Sequence, residues 1–348
     1  METIGLGVVG AGLVGRRHMD AIERAAGVDI IGVVEPSNEG ASYVCQQGHQ
    51  LFPSLEAMLL DADVSGVILA TPTPLHVQQA RLCIDAGVPV LIEKPISVSA
   101  QEAAPIVALA EEKNVPILVG HHRRHNPIIR KAREIIASGA LGEVRAVQAT
   151  CWFYKPDPYF AEAPWRTKKG AGPISVNLIH DVDLLRHMVG DVKTVQAVAA
   201  PSARGFENED VAAAVLQFQN GAVGTITVSD SIVAPWSWEH TAGEYPVYPV
   251  TPENCYQLGG SKASLSVPDL RLWQHEGGGQ DWWTPIGATS QIRESADPLI
   301  NQIAHFAAII QGQEKPLVSG REGLRSLRVV EAIQRAADAG QAVQILQE

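Results

Sequence analysis

Short apolar runs alternate with amphipathic stretches along the first 120 residues. Ile4 to Val9, Ile30 to Val34, Val67 to Ala70, Val88 to Ile92 and Pro116 to Val119 are runs of strand length, apolar almost throughout. Between them Val14 to Ala26, "HVQQARLCIDAG" up to Gly87, and Ala100 to Lys113 read as helices. Continuous apolar strands separated by helices predict a parallel, doubly wound sheet with both faces covered. Beyond residue 120 the pattern changes. "EVRAVQATCWF", "VKTVQAVAA", "VAAAVLQFQ", "AVGTITVSD", "ASLSV" and "DLRLW" predict strands of an open, mostly antiparallel sheet. Asn220-Gly221 is a hairpin turn, because both residues tolerate positive φ. A helix is expected at about 173 to 189. "PLINQIAHFAAIIQG" and "REGLRSLRVVEAIQRAADAG" predict two more, the second stopped at Gly340. Ala234 to Glu253, rich in proline and aromatics, reads as a long loop of the kind that often carries function.

Composition narrows the picture. A chain of 348 residues with 46% hydrophobic and 19% charged residues is ordinary globular material for roughly two domains. The net charge of -11, with no Lys/Arg block, argues against nucleic acid and anionic membrane surfaces as partners. No apolar run approaches the roughly 18 residues of a membrane span. "METIGLGVVGAG" enters a strand at once, so no signal peptide is read. The four cysteines form no CxxC pair, and reduced thiols in a cytoplasmic protein are the simplest account.

The first strand runs into Gly10, Gly12 and Gly15, a GxGxxG pattern opening a helix. The first glycine permits the tight turn, the second lets backbone approach a pyrophosphate, and the third allows close helix-strand packing. The helix N-terminus then faces the negative charge. Glu35 ends the second strand, where a carboxylate bonds a ribose 2'-hydroxyl and repels a 2'-phosphate. With no arginine at positions 36 to 38, NAD is expected rather than NADP, although Arg16 and Arg17 could bend that preference. Residues 1–120 are therefore expected to form a dinucleotide-binding Rossmann domain. Residues 121–348 are expected to form an α/β domain for substrate binding and oligomerisation, the last helices being free to pack back on the first domain.

With the glycine loop, "ILATPTPLH" (68 to 76) and "IEKPIS" (92 to 97) in view, the chain resembles the Gfo/Idh/MocA oxidoreductases. "HHRRHNP", "PWRTKKGAG", "HDVDLLRHMVG" and "SGREGLRSLRVVEAIQRA" follow in order, so the resemblance covers nearly the whole chain. It implies a substrate held between the two domains. It also implies hydride transfer between NAD and a secondary alcohol or ketone of a sugar, an inositol or other polyol, or a related cyclic diol. It implies a homodimer or homotetramer, paired through the open sheet face. The implied cofactor residues are Gly10, Gly12, Leu13, Val14, Gly15, Glu35, Thr71, Pro72, His76, Glu93 and Lys94.

Lys94 is the implied catalytic lysine. An ammonium at the mouth of a buried strand stabilises developing alkoxide charge. His180 is the implied general base or hydroxyl-orienting group, with a core histidine as the plain alternative. The family pattern places an Asp four residues before this His, where the chain has Val176. Asn177 is the nearest polar substitute; it can orient a substrate but cannot carry a proton. Asp183 reads as a structural partner. Trp165, Arg166, His122 and Tyr154 are further substrate-contact candidates, with an interdomain salt bridge nearly as good a reading of Arg166. Trp236, Trp238 and His240 read equally as pocket lining or as packing. His121 and His125 lack the central Glu of a hydrolytic zinc helix, so no metal site is expected. The alternative function is a ligand sensor that keeps the NAD(P)-binding fold without turnover, and Val176 is what sustains it.

Overall fold

The structure is a computed structural model that describes residues 3–346. In chain order, β1 (Ile4–Val9), α1 (Leu13–Arg24), β2 (Val28–Val34), α2 (Asn38–Gln46), β3 (Leu51–Phe52) and α3 (Leu55–Asp61) come first. They lead into β4 (Gly66–Leu69), α4 (His76–Asp85), β5 (Val90–Ile92), α5 (Ala100–Lys113) and β6 (Ile117–Val119). Then come α6 (Pro127–Ala137), β7 (Val144–Trp152), α7 (Asp157–Ala161), α8 (Pro173–Val176) and α9 (Leu178–Val189). β8 (Val192–Pro201), β9 (Glu209–Phe218), β10 (Val223–Ser229), α10 (Trp238–Thr241), β11 (Tyr256–Gly260), β12 (Ser264–Val267), β13 (Arg271–His275) and β14 (Ile286–Ser290) follow. α11 (Pro298–Ile310), α12 (Gly320–Ala339) and β15 (Val343–Gln344) close the chain.

The chain divides into two compact units. The first takes the residues up to His125 together with Asp297–Leu327, and the second takes Asn126–Ala296 and the residues from Arg328 onward. In the first unit six parallel strands run in the order β3-β2-β1-β4-β5-β6. β1, β4, β5 and β6 are buried along their whole length, as a sheet covered on both faces requires. The order reverses between β1 and β4, so their carboxyl ends flank a topological switch point. α11 packs against α1, and its Phe306 and Ile310 lie over β4 at Gly66.

The second unit is a nine-stranded sheet in the order β14-β13-β12-β11-β7-β10-β9-β8-β15. Every neighbouring pair is antiparallel except β7 with β10. β9 alternates: Ala212, Ala214, Leu216 and Phe218 are buried, while Ala213, Val215 and Gln217 are exposed. That is the signature of a sheet with one open face. Gly221, at φ +88°, makes the β9–β10 turn as expected.

The structure adds elements that the apolar pattern did not expose. α2 and α3 are short helices marked by their caps, whereas α6 also buries an apolar stripe of Ile128, Ile129, Ala132 and Ile135. Ser37 and Ser54 accept from Gly40 N and Ala57 N, and Asn126 accepts from Ile128 N with Pro127 in the first turn. The helix expected at 173 to 189 is two pieces broken at Asn177, whose φ of -99° and ψ of -52° fall away from regular helix. The loop from Ala234 to Glu253 holds one short helix, α10.

Candidate active site

In the first unit the glycine loop follows β1. Gly10 has φ +95°, and a Cβ there would lie 2.7 Å from Ala70 O. A Cβ on Gly15 would meet Gly10 O at 1.9 Å, so this position closes the helix onto the loop. Gly12 has nothing within 4 Å of where a Cβ would stand. Leu13 and Val14, in the first turn of α1, are 79% and 41% exposed, unusual for apolar residues at the start of an otherwise packed helix. An open backbone cradle and uncovered apolar side chains at a helix N-terminus fit a bound dinucleotide.

Glu35 ends β2 beside this loop. Its Oε2 accepts from Ala11 N at 2.6 Å and its Oε1 from Ser37 N at 2.8 Å. Partial burial opposes its ionisation, but hydrogen bonds from Ser37 and Ala11 and the charge of Arg16 prevail and hold it below the usual range. Arg16 is engaged with its own neighbours. Its Nε donates to Ala11 O at 2.9 Å, its Nη2 lies 3.3 Å from Glu39 Oε1, and its guanidinium sits 4.3 Å from the Tyr43 ring centre. Glu35 is thus presented as an anion, while Arg16 is held by an acid and an aromatic face.

Lys94 follows β5. Its backbone is held on both sides. Glu93 Oε2 accepts from Lys94 N at 3.0 Å, and His76 Nδ1 lies 2.9 Å from Pro95 O. The other nitrogen of His76 lies 2.9 Å from Thr71 O, and Thr71 Oγ1 donates to Gln79 Oε1 at 2.6 Å. His76 therefore ties the "ATP" loop, which includes Pro72, to the lysine turn. Burial lowers its pKa against the pull of the two carbonyls and Glu93. Behind Lys94, Glu93 Oε1 meets His18 Nε2 at 2.7 Å, and His18 is wholly buried. Burial opposes ionisation of Glu93. The His18 bond and the neighbouring His18, His122 and Lys94 outweigh it and take the carboxyl from 4.5 to about 2. His122 lies in the 3-10 turn His122–His125, its neighbours Arg123 and Arg124 buried.

In the second unit His180 is 8% exposed, in the first turn of α9. Asn177 is 9% exposed, and its Oδ1 is buried with no hydrogen-bond partner among the described residues. Asp181 and Asp183 are buried, and Asp181 Oδ1 accepts from the Tyr256 hydroxyl. Trp165 is 57% exposed. Arg166 stacks 3.9 Å from the Tyr159 ring centre and donates to Tyr159 O at 2.5 Å and Glu162 Oε2 at 3.2 Å. Tyr154 is exposed beside Arg204, whose guanidinium carbon lies 5.5 Å from the ring centre. Trp238 packs in the core and donates to Glu244 at 2.9 Å, whereas Trp236 stays on the surface.

Two clusters were not singled out from sequence. His18 shares the buried stripe Gly15, His18, Met19, Ile22 of α1, and a polar residue on such a stripe is the readable signal. Lys155 and Asp230 lie just beyond the carboxyl ends of the parallel pair β7 and β10, 3.7 Å apart and almost fully buried. Arg204 also holds Asp230, at 2.9 Å. Burial pushes Lys155 down and Asp230 up, each partner pulling the other back. No group of three or more acidic, His or Cys side chains fit to hold a metal occurs among the described residues.

Comparison with known proteins agrees with this architecture. Residues 4–121 match the family described as oxidoreductases with an NAD-binding Rossmann fold, and residues 129–266 match the GFO/IDH/MocA C-terminal domain. A 1,5-anhydro-D-fructose reductase of Ensifer adhaerens is 27% identical over 341 residues, covering 97% of this chain and 98% of that protein. A UDP-N-acetylglucosamine 3-dehydrogenase of Acidithiobacillus ferrooxidans is 30% identical over 231 residues, 66% of this chain and 68% of that protein. The WlbA dehydrogenase of Bordetella pertussis, solved with NADH and UDP-GlcNAcA, superposes with a TM-score of 0.79 at 26% identity and full coverage of both chains. With both domains matched in order on a glycine loop and cradle shaped for a dinucleotide, the chain belongs to the NAD-dependent oxidoreductases of the Gfo/Idh/MocA family.

Proposed function

We propose that the protein interconverts a secondary alcohol and a ketone on a sugar, a cyclic polyol or a related diol, with Lys94 and His180 at the reacting hydroxyl. The observation that carries this is the bracing of Lys94. Its amide is fixed by Glu93 and the next carbonyl by His76, at the carboxyl end of a buried strand. A flexible surface lysine needs no such support. NAD, when bound, takes up or returns the hydride. Gly10 and Gly12 with Leu13 and Val14 would cradle its pyrophosphate, Gly15 closing the helix onto that loop, and Glu35 would take a ribose hydroxyl. The Lys94 ammonium stabilises negative charge as the hydroxyl loses its proton. His180 accepts that proton. Asn177 supports the substrate side. A buried acceptor without a donor costs about 1–3 kcal/mol, and a substrate hydroxyl donating to Oδ1 recovers it. Trp165 and Tyr154 offer flat apolar surface to sugar C–H faces. Sugar and sugar-derived substrates in the names of the relatives support the class of substrate.

The same reading includes a cytoplasmic homo-oligomer paired through the open sheet. Exposed Val198, Val215 and Val223 on that sheet support it, as do four cysteines that form no disulfide. The test is the nicotinamide absorbance change on a panel of 1,5-anhydro-D-fructose with NADH, and myo-inositol, D-glucose, D-xylose and a cyclic dihydrodiol with NAD. Turnover on a panel member that Lys94→Ala abolishes is the expected result. NAD binding without turnover on any member would favour the sensor, for which Val176 in place of a carboxylate is the supporting observation.

A further inference from the structure

His18 stands 75 residues before Glu93 in the chain, yet it is a fully buried polar group aimed at that carboxylate. Its Nε2 donates to Glu93 Oε1 at 2.7 Å, since an ionised carboxylate only accepts. That is its one side-chain hydrogen bond among the described residues, its Nδ1 being buried without a partner. The second oxygen of Glu93 takes the Lys94 amide. The pair is closed in from a third side. A Cβ on Gly120 would stand 2.9 Å from the Glu93 carboxyl, so the backbone just after β6 presses against this group. Glu93 N is itself tied to Leu69 O at 3.0 Å. The carboxylate therefore has little freedom of its own, and His18 fixes what remains.

We propose that His18 is a positioning residue for Lys94: its bond to Glu93 makes the glycine-loop helix α1 and the Lys94 turn one rigid body. This rests on the catalytic role proposed for Lys94. α1 begins at the dinucleotide cradle with Leu13, and its buried stripe reaches the lysine turn through His18. One helix thus sets both where the dinucleotide lies and where the ammonium stands. Misplacing a reacting group by about 1 Å can cost about 10²-fold, so a brace of this kind acts on turnover rather than on cofactor affinity.

The test compares His18→Leu, which removes the donor, with His18→Gln, whose amide nitrogen reaches about as far as Nε2. Lys94→Ala is the control. Four quantities are read: kcat and KM on the panel member with the highest kcat/KM, NAD affinity by fluorescence titration, and hydrogen exchange of the Lys94 amide without cofactor. In His18→Leu, kcat should fall about 10²-fold while KM and NAD affinity stay within about threefold, and the Lys94 amide should exchange faster. His18→Gln should restore kcat to within about fivefold and slow the exchange again. If His18→Leu does not fold, His18→Asn, one carbon too short to reach Glu93, is read in the same way. Parent-like kcat and amide exchange in the folded donor-free variant would overturn the brace. So would equal losses in the Gln and Leu variants accompanied by lost NAD affinity, the pattern of a merely structural histidine. An inactive Lys94→Ala beside an unaffected His18→Leu removes the brace alone. An active Lys94→Ala removes the proposed role of the lysine and the brace with it.

Discussion

Glu93 lends itself to a stability experiment that needs no substrate. Its carboxyl moves from 4.5 to about 2 on folding. At about 1.4 kcal/mol per unit, that difference makes the ionised group worth about 3 kcal/mol to the first unit. The folded pKa is the lower one. The contribution is therefore complete above pH 4.5 and lost as pH falls from there toward 2. Glu93→Gln removes the charge but keeps one oxygen for either His18 or the Lys94 amide. The variant should be less stable than the parent by up to about 3 kcal/mol at pH 7, and the gap should close as the parent is acidified through this window. Other groups that titrate are common to both proteins and cancel in the difference. The choice of probe matters. All seven tryptophans, from Trp152 to Trp283, lie in the second unit, so their fluorescence follows the wrong half of the molecule. Hydrogen exchange of peptides from α1 and β5 against denaturant reads the first unit directly. A gap that is absent at pH 7, or that persists undiminished at pH 2, would refute the ionised, hydrogen-bonded Glu93 as the source of the difference.

Three further outcomes follow from the site. Glu35→Ala should weaken NAD binding by about 10- to 100-fold through loss of one charge-assisted bond, worth about 1.5–3 kcal/mol, and narrow the gap to NADP; parallel titrations with both cofactors measure it, and tighter NADP binding by the parent would contradict the assignment. Lys94→Ala should cut kcat by about 10²- to 10⁴-fold with NAD affinity nearly unchanged, and turnover within a few-fold of the parent would exclude the lysine. Val176→Asp restores a carboxylate four residues before His180, across the break at Asn177, and a carboxylate beside the imidazole raises its pKa. The acid limb of the kcat/KM profile should then move to higher pH, because a base works only once deprotonated. An unmoved profile, together with an active His180→Ala, would show that the proton travels elsewhere.

The parts of the fold that were legible in the sequence are those built by local rules. β1, α5 and the Asn220-Gly221 hairpin come from an apolar run, an amphipathic stripe closed by a cap, and a turn pair. α6 is marked by its cap and Pro127 but was hidden among the strands around it. The parallel contact of β7 with β10 has no local signature, because the partners are separated by Phe153 to Ala222 and pairing is decided by the whole sheet. The site follows the same division. Gly10, Gly15 and Glu35 were legible because phosphate and strand-end geometry fix their spacing, and the lysine turn through the resemblance that "IEKPIS" carries. His18 and Glu93 stand 75 residues apart, and only burial reveals that the histidine needs an acid and the acid a donor. The engagement of Arg166 with Tyr159 and Glu162 was equally out of reach, since a sequence does not say which neighbour an arginine will choose.

The first unit is assembled from two stretches of chain, with Asn126–Ala296 lying between them. On a ribosome, α11 is therefore made well after the sheet it covers. At about 5–20 residues per second the intervening stretch takes about 10–35 s to synthesise. Throughout that time α1 and the Gly66 edge of β4 lack the helix that packs on them. The dinucleotide-binding half begins first and finishes late, with an apolar face left to solvent until α11 is made.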